Sequence, residues 1–238
     1  MNRPKEATLL LEIMNFRNQR TEKRQGFSLI ELLTVMAIIS VLMTVASVGV
    51  SNMGSAQGVT SGVSIAEGLM TQAQRLAKSR GTTARLVIHD QLDDSDPEER
   101  RRFRRYMLVM YKEIDPETGA EAGKWSISGT PTLLPEKVYY SPELSKNRLE
   151  GGSELPTEIH QLTNNPDDTA ECHYYEFNSQ GICTTPGATF IIEGGPRPRN
   201  SERPRLGNTR NIGAFVIWRN GGTSRINDVS RIEEPSDN

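Results

Sequence analysis

Between Phe27 and Val50 the chain reads FSLIELLTVMAIISVLMTVASVGV, and Glu31 is the one charged residue in it. A helix of that length, at about 1.5 Å rise per residue, spans ~36 Å, which exceeds the ~30 Å hydrocarbon layer of a bilayer. A soluble core helix would show a polar face over this distance, and this stretch shows none, so its pattern predicts a membrane-inserting helix. The rest of the chain is different. The mean hydropathy of the whole is −0.53, as for a soluble protein, and 28 basic residues nearly balance 30 acidic ones. Overall charge therefore selects no class of partner. The 238 residues suffice for one well-buried domain plus an anchor.

The residues before the apolar run set its direction. Residues 1–26 carry Arg3, Lys5, Arg17, Arg20, Lys23 and Arg24 against Glu6, Glu12 and Glu22, a net charge of +3. Basic residues flanking a membrane helix stay on the cytoplasmic side, so the leader is expected inside and everything after Val50 outside. Met14 is an alternative start that would leave a shorter, more basic leader. An ordinary secretory signal cut after Ala46, or a plain single-pass anchor, is the competing reading. Three features oppose it. The apolar run is longer than a signal's, more helix-compatible sequence follows it, and Glu31 costs on the order of 3 kcal/mol in the bilayer interior. A signal or simple anchor gains nothing from that carboxylate.

The stretch GFSLIELLTVMAIISVL, behind a basic leader ending in Gly26, resembles the prepilin signature of type IV pilins and type II secretion pseudopilins. The resemblance implies cleavage by prepilin peptidase between Gly26 and Phe27, then methylation of the new Phe27 amine. It also implies that Glu31 of one subunit meets the Phe27 amine of a neighbour in a filament. Physical chemistry supports such a role: a carboxylate one turn into a helix is favoured by the helix dipole, and an ion pair in low dielectric far outweighs one in water.

No proline interrupts residues 27–80, so one helix of about fifty residues is expected, ended by Gly81. Its second half places Ile65, Leu69, Ala73, Leu76 and Ala77 on one face, the stripe of a helix packed on a domain. Gly54, Gly58 and Gly62 recur every fourth residue. They fit close helix packing, and equally a weakly helical joint, since each glycine costs roughly 1 kcal/mol against alanine. After Gly81 the pattern turns to strands: TARLVIH (83–89), RYMLVMYKE (105–113), KWSIS, HYYEF, ATFIIEG and GAFVIWRNGGTSRI, the last a hairpin about Asn220–Gly221–Gly222. Segments 141–170 and 194–211 read as loops. The expected class is α+β, a long N-terminal helix on a mainly antiparallel β domain. The expected organisation is a cleaved leader over 1–26, a membrane or filament-core helix over 27–50, an amphipathic helix over 51–80 and a β-rich domain over 81–238.

The order of AQRLAKSRGTTARLVI, LLPEKV, YEFNSQGICTTPGATFII and IGAFVIWRNGGTSRI is similar to that of GspH/FimT-type minor pseudopilins. The resemblance implies a structural subunit of a type II secretion pseudopilus or type IV pilus, not an enzyme. Implied partners are prepilin peptidase, other pilin or pseudopilin subunits, an inner-membrane assembly platform and membrane lipid. The implied location is the bacterial inner membrane with a periplasmic C-terminal domain, and then the filament. The acidic-then-basic insert at 90–105 and the Pro/Arg loop at 196–205 depart from that family's compactness.

No catalytic constellation is present. His89, His160 and His173 are scattered, and neither a nucleophile elbow, a zinc-protease helix nor a phosphate loop occurs. No cofactor and no metal site is expected. DQLDDSDPEE lacks calcium-loop spacing and reads better as a solvated acidic loop. Arg100, Arg101, Arg102, Arg104 and Arg105 surround Phe103 and form a candidate nucleic-acid patch, with Arg197, Arg199, Arg203, Arg205 and Arg210 as a second set. The opposing reading has the acids of 90–99 neutralise the first patch. Cys172 and Cys183 are either two thiols or, in an oxidising compartment, a disulfide across adjacent strands.

Overall fold

A chain with one long proline-free run followed by short β-branched runs folds as that pattern dictates. The computed structural model describes residues 28–147, 152–185, 187–205 and 211–227, and the side chains of 44–56 lie outside the described set. The leader and the Gly26–Phe27 bond also lie outside it. The chain divides into two units, Met1–Val48 and Gly49–Asn238. Helix α1 runs Leu29–Arg80. It stops where Gly81 takes φ +66°, and the Thr82 N–H returns to the Ala77 carbonyl at 3.2 Å.

In the second unit, β1 (Ala84–His89), β2 (Tyr106–Ile114), β3 (Glu121–Leu133), β7 (Thr157–Gln161) and β8 (Thr169–Phe177) form a five-stranded sheet in the order β3-β2-β1-β8-β7. A four-stranded sheet has the order β11-β10-β9-β4, from β4 (Val138–Tyr140), β9 (Thr189–Gly194), β10 (Ile212–Ile217) and β11 (Thr223–Arg225). A short ladder pairs β5 (Lys146–Asn147) with β6 (Ser153–Glu154). Every pairing is antiparallel. The expected α+β class is what the structure shows. Two local expectations are corrected. KWSIS is the middle of the longer β3, and segment 141–170 contains β5, β6 and β7 rather than loop alone.

The packing face of α1 is Val59, Val63, Ala66, Met70, Ala73 and Ala77, all buried, with Leu69 buried and Ile65 and Leu76 at its margin. These positions recur every three or four residues and share one core cluster with both sheets. Gly58 and Gly62 have a packing reason: a Cβ on Gly62 would stand 2.8 Å from Ile192 Cδ1, and one on Gly58 3.2 Å from Val138 Cγ2. The sheet side mirrors this. A Cβ on Gly213 of β10 would meet Val63 Cγ2 at 2.6 Å and Val59 Cγ1 at 2.7 Å. Both neighbours are β-branched and stiff in a helix, so they cannot swing aside. Gly213→Ala is therefore expected to lower stability by about 1–3 kcal/mol. Gly68, with nothing within 4 Å of its would-be Cβ, gives the opposite sign. Gly68→Ala is expected to stabilise by up to ~1 kcal/mol, and thermal unfolding of both variants checks the pair.

The other face of the five-stranded sheet is held by Arg85 of β1. Its guanidinium carbon lies 4.3 Å from the Trp125 ring centre and 3.8 Å from that of Tyr174. Its nitrogens donate to Glu176 at 2.7 Å and to Glu158. His160 is buried beside them, edge-on to Trp125 and Tyr174. Burial, opposed by Glu158 and reinforced by Arg85, pushes the His160 imidazole down to about 4. The unfolded chain protonates His160 near its ordinary value while the fold keeps it neutral. Its contribution is thus complete above that value and falls as pH drops toward 4. The shift corresponds to on the order of 3 kcal/mol, so His160→Gln is expected to flatten the acid limb of the stability–pH curve measured by urea unfolding.

Candidate assembly site

The first described turn of α1 is organised by Ser28. The Glu31 backbone N–H donates to Ser28 Oγ at 3.2 Å, and the Leu32 N–H donates to the Ser28 carbonyl at 3.2 Å. Ser28 is thus the N-cap and Glu31 the third helical residue, the S-x-x-E spacing that opens helices. That spacing was present in the sequence and is a signal for the helix start that the prepilin reading does not use. Glu31 lies in the first turn, where the macrodipole favours an anion.

Beyond Glu31 the helix presents apolar side chains on every side. Leu29, Ile30, Leu32, Leu33, Val35, Met36, Ile38, Ile39, Val41, Leu42 and Met43 are all exposed, from 45% at Ile39 to 83% at Leu29. The two hydroxyls in this stretch are satisfied within the helix: Thr34 donates to the Ile30 carbonyl and Ser40 to the Met36 carbonyl, each at 2.8 Å. Such back-bonding lets a hydroxyl sit in an apolar medium without an external partner. Among described residues 28–43, Glu31 is the only charged group. Water does not favour this surface, and an apolar medium or other helices would. Among the described residues no helix is long and apolar enough to cross a membrane. Part of the expected 27–50 span falls outside them.

Residues 22–47 match the family model described as the prokaryotic N-terminal methylation motif. The chain thus carries a prepilin-type N-terminal motif. Among solved structures, the chain is similar to the minor pseudopilin EpsH of the type II secretion system of Vibrio cholerae, at 12% identity and a TM-score of 0.35, over 71% of this chain and 92% of that one. No curated protein matches. The motif includes Gly26, Phe27, Ser28 and Glu31, and of these the structure describes Ser28 and Glu31.

The arginine run of the sequence is taken apart by the fold. Asp96 caps the short helix α2 (Pro97–Arg102), accepting from the Glu98 N–H at 2.7 Å. Arg102 pairs with Glu98, Glu99 and Asp168. Arg104 is buried and pairs with Asp90 at 2.5 Å and Glu143 at 2.7 Å. Arg105 donates to the Leu134 carbonyl at 2.9 Å, while Arg100 is half-buried and Arg101 exposed. In the second set, Arg197 binds Asp94 and Arg203 binds the buried Glu193. Among the described residues, the structure thus does not gather these arginines into one free basic face. The acidic run is engaged too. Asp93 accepts from the Ser95 N–H and hydroxyl, and Asp94 from Arg197 and the Asn200 N–H. The described residues hold no group of three or more side chains suited to a metal.

Of the two alternatives for the cysteines, the structure holds the two thiols. Cys172 and Cys183 are both buried thiols in different core clusters. Asn178 closes a tight reversal, its N–H donating to the Ile182 carbonyl at 3.0 Å, and this sets Cys183 opposite Phe177. Cys172 lies five residues further along β8, about 16 Å away at strand rise and facing the other side. A bridge requires Cα atoms within ~7 Å. Burial pushes the Cys172 thiol up to about 12, so it is protonated and inert at neutral pH.

Proposed function

We propose that this chain is a minor pilin-like subunit, of the pseudopilin kind, matured between Gly26 and Phe27 and assembled through α1 into a type II secretion pseudopilus or a type IV pilus. The observation that carries the reading is the coincidence, within the methylation motif, of an all-round apolar helix face and a single first-turn carboxylate. In this reading the leader is cytoplasmic, the first half of α1 lies in the inner membrane and then in the filament, and the β domain is periplasmic. Prepilin peptidase, sister subunits, the inner-membrane assembly platform and lipid are the partners. The chain acts as a peptidase substrate and structural element, with no catalytic step of its own.

The apolar helix face gives no purchase to water, and sister helices offer it the same packing as lipid tails. Glu31 then distinguishes the two media, because a neighbouring chain brings a further cation, its own Phe27 amine, that lipid tails do not supply. Intact-mass and N-terminal analysis of the protein extracted from membranes tests the reading. A chain beginning at N-methylated Phe27 is expected. A chain beginning at Ser47, or one retaining residues 1–26 in cells that express the peptidase, would overturn it.

A further inference from the structure

The five-stranded sheet has two edges, and they are treated differently. An open edge offers unpaired backbone groups to any extended chain, and proteins commonly blunt it with bulges, proline or lysine. Edge β3 carries all three: register shifts between Met107 and Val109 and between Lys112 and Ile114, Pro131 within the strand, and the exposed Lys124. Edge β7 carries none. Its register with β8 is unbroken from Thr157–His173 to Gln161–Thr169, and its sequence TEIHQ has neither proline nor lysine.

The backbone of β7 is also poised for addition. The Leu162 N–H donates to the Asp168 carbonyl, and the Tyr174 N–H donates to the Pro156 carbonyl. Hydrogen-bonded pairs alternate along an antiparallel ladder, so Glu158 and His160 turn their N–H and C=O toward β8. Thr157, Ile159 and Gln161 turn theirs outward, where the sheet ends among the described residues. Ile159, the middle of the three, leaves 70% of its surface exposed. It lies in a shallow groove with Gln91, Thr157, Thr169 and Glu171.

Charge defines what fits. Residues 153–183 contain Glu154, Glu158, Asp167, Asp168, Glu171 and Glu176 and not one lysine or arginine. Arg85 pairs with both Glu158 and Glu176, and Arg102 pairs with Asp168, so the region keeps a net negative charge. Glu171, opposite Ile159 in the ladder, forms no ion pair among the described residues, and Glu154 and Asp167 lie just beyond the two ends of β7. We propose that the β7 edge docks an extended, basic strand of a partner protein, one with an apolar residue beside Ile159 and a lysine or arginine facing Glu171. Main-chain hydrogen bonds to Thr157, Ile159 and Gln161 hold it, and the carboxylates select its charge. The inference rests on the edge itself and stands apart from the prepilin reading.

The probe is a labelled peptide repeating Lys-Thr-Val-Thr, which puts lysine and valine on one face of an extended strand as Ile159 and Glu171 require, titrated by fluorescence anisotropy into the full chain in neutral detergent micelles, with a Glu-Thr-Val-Thr repeat as control. Saturable binding of the basic peptide alone is expected, with amide exchange slowed at Thr157, Ile159 and Gln161 and unchanged at Glu158 and His160. Ile159→Pro removes an outward N–H and no β8 bond, and is expected to weaken binding at least about tenfold, as is Glu171→Lys. N-methylating the peptide at every second residue gives the same test on the unaltered chain: one methylation phase is expected to abolish binding and the other to preserve it. Equal binding of both peptides, equal effects of both phases or absence of binding overturns the proposal. So does concentration-dependent self-association that slows exchange at the same three amides, which would make a second copy the occupant.

Discussion

On the pilin-like function proposed above, Glu31→Leu is expected to abolish incorporation into filaments while leaving membrane insertion intact or improved. The local fold does not need this side chain, since Ser28 Oγ caps the backbone N–H of residue 31, a bond any residue there retains. Insertion does not need it either, because a leucine is favoured in hydrocarbon where a carboxylate is penalised. Every other described side chain from Leu29 to Met43 is apolar or satisfied within the helix. Glu31 alone is left seeking a partner. In low dielectric a lone carboxylate is costly and a paired one is not, so the acid favours lateral contact with a chain that presents a cation. Glu31→Gln separates charge from shape. It keeps size and hydrogen bonding, and it is expected to fail in assembly as leucine does. Carbonate extraction of membranes reports insertion, and sedimentation of sheared filaments reports assembly. Filament yields from the leucine variant equal to those of the parent would remove Glu31 from the mechanism.

The parts of this molecule that the sequence discloses are those fixed by local rules. The length of α1 follows from an absence of proline and a glycine that accepts positive φ. The hairpin about Asn220–Gly221–Gly222 appears where turn chemistry places it, with Gly221 at φ +79° and Gly222 N–H bound to Asn220 Oδ1 at 3.0 Å. What sequence order conceals is anything decided by partners distant along the chain. TEIHQ reads as loop because an edge strand with one buried residue lacks the apolar alternation of a covered one. The two cysteines sit at a spacing that suits adjacent strands, yet the reversal at 178–182 falls too late to bring them together. The Gly58 and Gly62 pattern stayed open between packing and flexibility until Val138 and Ile192 were placed against it. The arginine run is the sharpest case. Its neighbours in sequence suggest a basic patch, and its neighbours in space are Asp90, Glu143 and Asp168.

That last rearrangement carries the second large effect. Arg104→Ala is expected to cost about 3–5 kcal/mol, the range for removing one member of a buried ionic group. Arg104 is 5% exposed. Its Nε donates to Asp90 at 2.5 Å, and its Nη1 donates to Glu143 at 2.7 Å and to the Glu202 carbonyl at 3.0 Å. Asp90 in turn accepts from His173 at 3.0 Å. Burial opposes ionisation of Asp90, but the His173 hydrogen bond and the Arg104 charge outweigh it and hold the carboxyl below its usual range. Removing the guanidinium leaves two carboxylates, Asp90 and Glu143, without their shared cation, and loosens the joint between β1, the loop before β5 and the loop near Glu202. The backbone adds a second cost to the native state, since Arg104 sits at φ +53°, a region that non-glycine residues seldom occupy. Its N–H bonds to the His89 carbonyl at 2.9 Å and its carbonyl accepts from Tyr140 at 2.7 Å, so the strained conformation is anchored on both sides. Arg104→Gly therefore relieves the strain while losing the same ion pairs, and is expected to be less destabilising than alanine. Arg104→Lys keeps the charge without the planar fork that reaches two acids at once, and should fall between alanine and the parent. Urea unfolding of the solubilised chain ranks the four proteins. Were alanine to match the parent within ~0.5 kcal/mol, the ionic joint would be ornament, and the arginines would be available for a ligand after all.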